Sequence, residues 1–199
     1  THPSGFDMTI AGGPLDFYTV TDHAEYLGIL PAMNTPGTEL SELPRAQDMF
    51  STDPGRITAA FQGVGASVRS GEVIAEMHDT DVMDSVWMQN VAAADRHYVP
   101  GEFTTFAAYE YTSVAANEEQ GSFAGGNLHR NVFFKGDAPD RAFSTLDSTN
   151  PEDLWDWMDA KRAEGYESIA IPHNPNVSDG LMFRLQTYNG DPLDAAYAE

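Results

Sequence analysis

The sequence contains no cysteine, and this absence removes several kinds of chemistry at once. Disulfide bonds, thiolate zinc sites and cysteine nucleophiles are all excluded. A metal site in this chain would therefore have to use histidine nitrogen and carboxylate oxygen as ligands. Such ligands suit borderline and hard divalent ions, namely zinc, manganese or iron.

Basic residues are scarce, because 10 Lys and Arg stand against 31 Asp and Glu, and the formal net charge is −21. Nucleic acid is therefore excluded as a partner, since a phosphate backbone needs a basic surface, and anionic membranes are equally disfavoured. The acidic residues are spread along the chain, which indicates a solvated surface on which most carboxylates are not ligands. We expect a small anionic substrate as the partner, and the sequence does not predict the oligomeric state.

Long apolar runs are also missing. No stretch approaches the roughly 18 residues that a membrane-spanning helix needs, and the sequence shows no signal segment with a charged and then an apolar part. We therefore expect a soluble protein of the cytoplasm or the periplasm. The length of 199 residues suits a single domain with a sizeable core.

Apolar periodicity, proline and glycine together predict an α/β architecture. The predicted helices cover residues 39–50, 56–68, 72–96 and 151–164. Asn150, Pro151 and Gly165 give the last of these helices a clear start and end. A loop is predicted at residues 115–126 and the start of a helix at residues 191–199. The order strand, helices, strand, helix, strand favours a largely parallel sheet or a barrel.

Four strand-like runs carry a histidine or a glutamate at one end. The first ends in Asp22-His23, the second in Glu110 and the last in His173, whereas His129 opens the remaining one. Chemistry in α/β folds gathers at the carboxyl ends of parallel strands. One such strand end is as easily a hydrogen-bonded polar terminus as a site, but four of them indicate a shared site.

These strand ends predict a metal site whose ligands are His23, Glu110, His129 and His173. A carboxylate such as Glu110 can bridge two ions, which clamp phosphoryl oxygens and generate a hydroxide. Asp22 is either a further ligand or the acceptor that fixes the tautomer of a histidine. We take Glu110, Arg130 and Asp22 as the candidate catalytic residues.

Three residues beside the ligands are candidates for substrate binding, namely Arg130, Asn131 and Asn174. Arg130 suits a phosphate or a carboxylate, because its guanidinium donates paired hydrogen bonds to such groups. Hydrogen bonding within a loop is the simpler interpretation of the two asparagines. His78 and His97 lie among acidic neighbours in predicted helical or turn segments, and we expect them at the surface.

Several long motifs make the chain resemble the PHP (polymerase and histidinol phosphatase) superfamily, and within it the family of unknown function DUF3604. The motifs are PLDFYTVTDHAEYLG at residues 14–28 and the stretches 100–112, 127–132, 150–155, 171–174 and 178–183. The resemblance implies a distorted (β/α)7 barrel of the TIM-like type, with two or three metal ions at the carboxyl ends of its strands. It also implies that His23 is a terminal ligand, that Glu110 bridges metals, and that His129 and His173 are further ligands.

The superfamily pattern opens with a His-x-His strand and closes with an Asp-x-His strand, and neither is found in residues 1–199. We therefore expect a single PHP-like domain with a partial barrel, as the central piece of a longer protein. The predicted function is that of a metal-dependent hydrolase, a phosphoesterase that uses metal-activated hydroxide. Two alternatives stay open: a non-catalytic module that binds metal or ligand on a PHP scaffold, and an amidohydrolase-like enzyme acting on C–N or C–O bonds.

Overall fold

A computed structural model describes residue 5, residues 12–115 and residues 126–194. The strands of the described residues are β1 (Phe17–Thr19), β2 (Thr104–Tyr111), β3 (Arg130–Lys135) and β4 (Glu167–Pro172). The helices are α1 (Ile29–Met33), α2 (Pro44–Met49), α3 (Pro54–Ser70), α4 (Thr80–His97) and α5 (Pro151–Ala163). Short 3-10 turns cover Glu39–Glu42, Ala75–Met77, Pro175–Val177 and Leu181–Phe183.

The four strands form one open, mixed sheet in the order β1-β2-β3-β4. Strand β1 runs parallel to β2, whereas the β2–β3 and β3–β4 pairs are antiparallel. Strands β1 and β4 are the two edges of the sheet, so no barrel closes within the described part of the chain. The chain is α/β as predicted, but the expected (β/α)7 TIM-like barrel and the largely parallel sheet are wrong.

The antiparallel pairing of β2 with β3 has a local cause. Beyond the ends of these strands the chain returns alongside itself, since Leu128 N donates to Ser113 O and Ala115 N donates to Gly126 O, each at 2.9 Å. Parallel strands need a long crossover, usually a helix, whereas this ladder extends a hairpin. The loop predicted at residues 115–126 is consistent with a hairpin, whereas α5 between β3 and β4 favoured a parallel pair that the structure does not have.

One side of the sheet, the covered face, packs against α4 and α5. Successive residues of a strand point to opposite faces, so Tyr109 of β2 and Phe134 of β3 share the covered face. Trp87 of α4 meets both rings edge-on, with centroid distances of 5.5 Å to Tyr109 and 6.0 Å to Phe134. Leu154 of α5 is fully buried in the same cluster. These apolar side chains form the main core.

The other side of the sheet, the open face, leaves much apolar surface in contact with solvent. Phe17 of β1 and Ile169 and Ile171 of β4 are all exposed. Between these edges lie Phe106 and Phe133, whose rings meet edge-on at a centroid distance of 6.4 Å. These apolar residues lie in the middle of the open face, between the predicted ligands at one end and the pair of Lys135 and Glu167 at the other.

Capping explains where the helices begin. Asp53 Oδ1 accepts a hydrogen bond from Gly55 N at 2.8 Å, so α3 starts at Pro54. Asp79 Oδ1 caps α4 through Val82 N, and the predicted helix over residues 72–96 is therefore wrong before Thr80. Helix α5 agrees with its prediction to within one residue. No described helix is long and apolar enough to cross a membrane.

Helices α1 to α3 enclose a second apolar cluster that holds the segment after β1 in place. Tyr26 has a left-handed backbone with φ of 54°, and its hydroxyl contacts Ser67 Oγ at 2.6 Å and accepts from Ile74 N at 2.8 Å. Gly28 has φ of 77°, and a Cβ there would lie 2.4 Å from Val86 Cγ2. These constraints fix the chain on which Asp22 and His23 are presented.

Two of the predicted segments lie largely outside the described residues. They are the loop at residues 115–126 and the helix start at residues 191–199. The described residues 191–194 of the second segment contain no helix.

Candidate metal centre

Backbone pairing brings the predicted ligands to one end of the open face. Glu110 is paired with Asn131 across β2 and β3, and with His23 through an isolated parallel bridge. His173 directly follows β4, and its N donates to His129 O at 3.4 Å. Because side chains alternate between faces along a strand, these residues share the open face rather than the covered one.

The side chains of Glu110, His129 and His173 meet in one cluster, which we call the metal triad. Nδ1 of His129 lies 2.6 Å and Nε2 of His173 lies 2.8 Å from the same oxygen, Oε1 of Glu110. One potential ligand atom from each residue lies within 4.8 Å of the other two. Glu110 is buried, His129 is half-buried and His173 is exposed, so the cluster has a protected base and an open side. The metal triad can hold one metal ion.

Electrostatics favour the charged form of the Glu110 carboxylate. Burial acts to raise the pKa of Glu110, but hydrogen bonds with His129 and His173, together with the attraction of the His23 and His129 rings, hold this pKa below its usual range. A metal binds ionised carboxylates and neutral imidazoles, so the acid is already in its binding form. Two histidines and one carboxylate are a ligand set of catalytic zinc sites and of non-haem iron sites, which keep coordination positions open. The donor set therefore fits a divalent metal.

His23 borders the metal triad without being one of its three members. Its Nδ1 lies 3.6 Å from Oε2 of Glu110, the second oxygen of that carboxylate, and its ring stands edge-on to His129 at a centroid distance of 6.1 Å. The same Nδ1 lies 2.6 Å from Thr112 Oγ1. When Nδ1 donates this hydrogen bond, Nε2 keeps its lone pair, which is the form that binds a metal.

Sequence reasoning missed two residues in this region, Thr112 and Glu25. Thr112 lies two positions after Glu110, and that spacing, which puts both on one face of the strand, was the available signal. Glu25 is only 7% exposed, and its Oε1 accepts from Thr112 N at 3.2 Å and from Thr145 N at 3.0 Å. Its Oε2 is buried without a hydrogen-bond partner among the described residues. The excess of acidic residues hid this buried carboxylate.

Three further predicted residues surround the metal triad without joining it. Asn131 lies opposite Glu110 on the open face, and its Oδ1 is buried with no partner in the described part of the chain. Asn174 directly follows His173, at the start of a 3-10 turn. Asp22 is exposed, and its backbone oxygen accepts from Glu110 N at 2.9 Å. None of these three residues supplies one of the convergent ligand atoms.

Arg130 lies on the covered face, away from the metal triad. It is paired with Tyr111, a covered-face residue, and its guanidinium carbon lies 5.5 Å from the centroid of the Trp155 ring of α5. Its Nη1 donates to Leu128 O at 2.7 Å, and burial lowers the pKa of the guanidinium. Neighbouring residues of a strand point to opposite faces of the sheet. Because the His129 side chain lies on the open face, the Arg130 side chain lies on the covered face. The structure thus does not bring Arg130 to the other candidate catalytic residues.

The other described histidines lie in helical segments. His78 is half-buried after the 3-10 turn that precedes α4, and His97 is the exposed last residue of that helix. Over the described residues neither belongs to a cluster of metal-ligating side chains. Among the described residues, the three side chains that could hold a metal ion all lie at strand ends.

Residues 1–199 match the model of the family described as "Protein of unknown function (DUF3604)". This match confirms the DUF3604 resemblance of the motifs, and it includes every residue of the metal triad. It does not extend to the wider PHP superfamily, and no curated protein or solved structure matches the chain. The chain belongs to the DUF3604 family.

Proposed function

We propose that the protein is a metal-dependent hydrolase, acting on phosphate esters, and that DUF3604 is a branch of the PHP superfamily. The convergence of His129 and His173 on one oxygen of buried Glu110 is the observation that carries the proposal. Such a cluster, open on one side, supports catalysis better than a closed structural site, because catalytic metal sites keep a position for water or substrate.

The arrangement of Glu110 supports a site for more than one ion. Oε1 of Glu110 faces His129 and His173, whereas Oε2 lies 3.6 Å from Nδ1 of His23. Histidines thus stand beside both oxygens of this carboxylate. We propose zinc, manganese or iron at the metal triad, and a second ion would be held by Nε2 of His23, because Nδ1 is the nitrogen that Thr112 engages.

A divalent ion held at this site supplies Lewis-acid chemistry and activates water for hydrolysis. The protein side chains hold and orient the reactants around it. Thr112 fixes the ring of His23 through its 2.6 Å contact with Nδ1. Asp22 and Asn174 border the open side, where a small anionic substrate would approach, and Asn131 lies beside Glu110 with its Oδ1 turned to the interior. Arg130 takes no part in this proposal, because it lies on the covered face.

The proposal is tested by metal binding and turnover in one set of proteins. We expect zinc or manganese to bind by isothermal titration calorimetry and the loaded protein to hydrolyse an aryl phosphate, with both activities removed by chelator. Glu110→Gln should abolish them, because it removes the shared charge. Glu167→Gln is the matched control, since Glu167 lies at the far end of the sheet in an exposed pair with Lys135.

Each failure has its own meaning. If the metal-loaded protein hydrolyses amides rather than phosphate esters, the reaction class is that of an amidohydrolase and the phosphoesterase proposal is wrong. If it binds metal through Glu110 yet hydrolyses no phosphate, sulfate or carboxylate ester and no amide, the protein is a binding module. If Glu110→Gln and Glu167→Gln bind metal equally well, the metal triad is not the site.

A further inference from the structure

A cavity of about 660 Å³ lies next to the metal triad, between the segment after β1 and helix α3. Its lining reaches the border of the metal triad, since it includes Asp22, His23 and Thr112, although none of the three members of the triad lines it. His23 stands 3.6 Å from Oε2 of Glu110, so one side chain belongs to both the metal centre and the cavity wall. A volume of this size lies within the range of pockets that bind small organic molecules.

The wall away from the metal centre comes largely from one apolar face of α3, beside which Arg69 of the last turn also lines the cavity. This face consists of Phe61, Val64, Gly65 and Val68, which recur at the i, i+3, i+4, i+7 spacing of a helix face. Leu30 and Val86 face this stripe from the other elements of the lining. Burying a sugar or another polyhydroxyl group against such a wall would leave its hydroxyls without partners, which is costly.

Gly65 is the reason that the cavity is not filled by the helix. A Cβ built at this position meets no atom within 4 Å, although the same helix face carries larger side chains on either side. The backbone of Gly65 is helical, so the position accepts any helix-forming residue without strain. The missing side chain at Gly65 therefore leaves space in the cavity, and the helical backbone at this position does not require glycine.

We propose that this cavity binds an apolar group of the substrate, so that the preferred substrates are anionic esters with an aromatic substituent as large as a naphthyl group. The inference rests on the proposed function, because it assumes that the anionic head of the substrate sits at the metal centre. The head then lies beside His23 while the ring lies against the stripe of α3. Arg69 also lines this cavity, so its charge can attract any anionic substrate, and apolar burial against the stripe supplies the preference for an aromatic group.

The test compares two ligands that share a head group and differ only in the apolar part, methylphosphonate and 1-naphthylphosphonate. Neither is hydrolysed, so calorimetry reports binding to the metal-loaded protein alone. We expect 1-naphthylphosphonate to bind at least about tenfold more tightly, which corresponds to about 1.4 kcal/mol. Gly65→Leu should remove this difference by filling the cavity, with little effect on methylphosphonate. Gly65→Ala, which favours the helix equally but adds only one methyl group, should keep most of it.

The outcomes separate the cavity from the metal centre. If methylphosphonate does not bind, or binds equally well after chelation, the proposed function fails at the head group. If it binds in a metal-dependent way and the naphthyl compound binds no tighter, the function stands and the cavity inference is wrong. The inference is also overturned if Gly65→Leu weakens both ligands to the same extent. Circular dichroism and thermal melting of the two Gly65 variants establish that each remains folded.

Discussion

The covered and open faces of the sheet are built from the same strands but hold different kinds of residue. On the covered face Tyr109 and Phe134 pack against Trp87 of α4, in one cluster with Leu154 of α5. On the open face the metal triad lies at one end, apolar side chains lie in the middle, and the exposed pair of Lys135 and Glu167 lies at the other end. Strand alternation therefore separates packing from chemistry, even between the sequence neighbours His129 and Arg130.

The largest loss of stability is expected from a substitution in the core that packs on the covered face. Trp87 is 1% exposed and its Nε1 donates to Pro139 O at 2.7 Å, so Trp87→Ala should lower the free energy of unfolding by about 3–5 kcal/mol. Urea denaturation measures this loss. Zinc affinity of the folded variant should stay within about twofold, because substitutions at distant sites that share no contacts act independently of one another. If Trp87→Ala does not fold, Trp87→Phe provides a smaller change, and weakened metal binding in either folded variant would contradict the separation.

The neighbours His129 and Arg130 give the sharpest test of the two faces. His129→Ala should lower zinc affinity by about 100-fold or more, equivalent to about 2.7 kcal/mol at 1.36 kcal/mol per factor of ten. Arg130→Met, which keeps a long apolar stem against Trp155, should leave zinc affinity within about twofold. Calorimetric titration of both variants measures the contrast. Equal losses of affinity would mean that Arg130 supports the metal centre after all.

The buried tyrosines of the covered face should also make the stability of the protein depend on pH in the alkaline range. Burial raises the pKa of Tyr111 and raises that of Tyr109 well above 10.0. As the pH rises above about 10, the unfolded chain releases these protons before the folded protein does. The unfolded state is therefore stabilised relative to the folded state, and the free energy of unfolding falls with increasing pH. Absorbance at 295 nm during titration should show two tyrosines that ionise only together with unfolding. Early, reversible ionisation of every tyrosine would refute the tight packing of this face.

The smallest change in stability is expected from a substitution of an exposed side chain on the open face. Ile169 is 59% exposed, and Ile169→Ala should change the free energy of unfolding by less than about 0.5 kcal/mol. Ile29→Ala is the matched control, because Ile29 is fully buried in the second cluster and should lose about 2–5 kcal/mol. Thermal and urea unfolding of the pair measure the difference. A large loss at Ile169 would show that the open face is packed in solution.

The ligands of the metal triad could be predicted because each lies at a strand end and carries an unusual side chain. Glu110, His129 and His173 meet as a group, and His23 lies at their border. Arg130 is adjacent to His129 in sequence, but the two-residue period of strand β3 turns neighbouring side chains to opposite faces, so adjacency in sequence does not predict a shared site here.

The order of elements predicts only part of the topology of the sheet. The loop predicted at residues 115–126 leaves no helix for a crossover, which is consistent with the antiparallel β2–β3 pair. Helix α5 lies between β3 and β4, and that order favours a parallel pair, whereas the two strands are antiparallel. The family resemblance favoured a barrel, and the described chain has an open sheet instead.

The net charge of −21 predicts a response to salt that concerns both faces alike. Mutual repulsion of surface carboxylates opposes compaction, and salt screens it. The melting temperature should therefore rise between low ionic strength and about one molar salt, where the Debye length is roughly 3 Å. Differential scanning calorimetry across this range checks the expectation, and a flat or falling melting temperature would count against it.

Strand β4 lies at the edge of the sheet, and this position carries a consequence for how copies of the protein meet. An edge strand presents unpaired backbone groups that can extend a sheet into a neighbouring molecule, and Ile169 and Ile171 add apolar surface beside them. The like charge of two approaching copies is what keeps such edges apart in dilute buffer. The salt that raises the melting temperature also weakens this repulsion, so high salt should give molecules that unfold later and self-associate sooner.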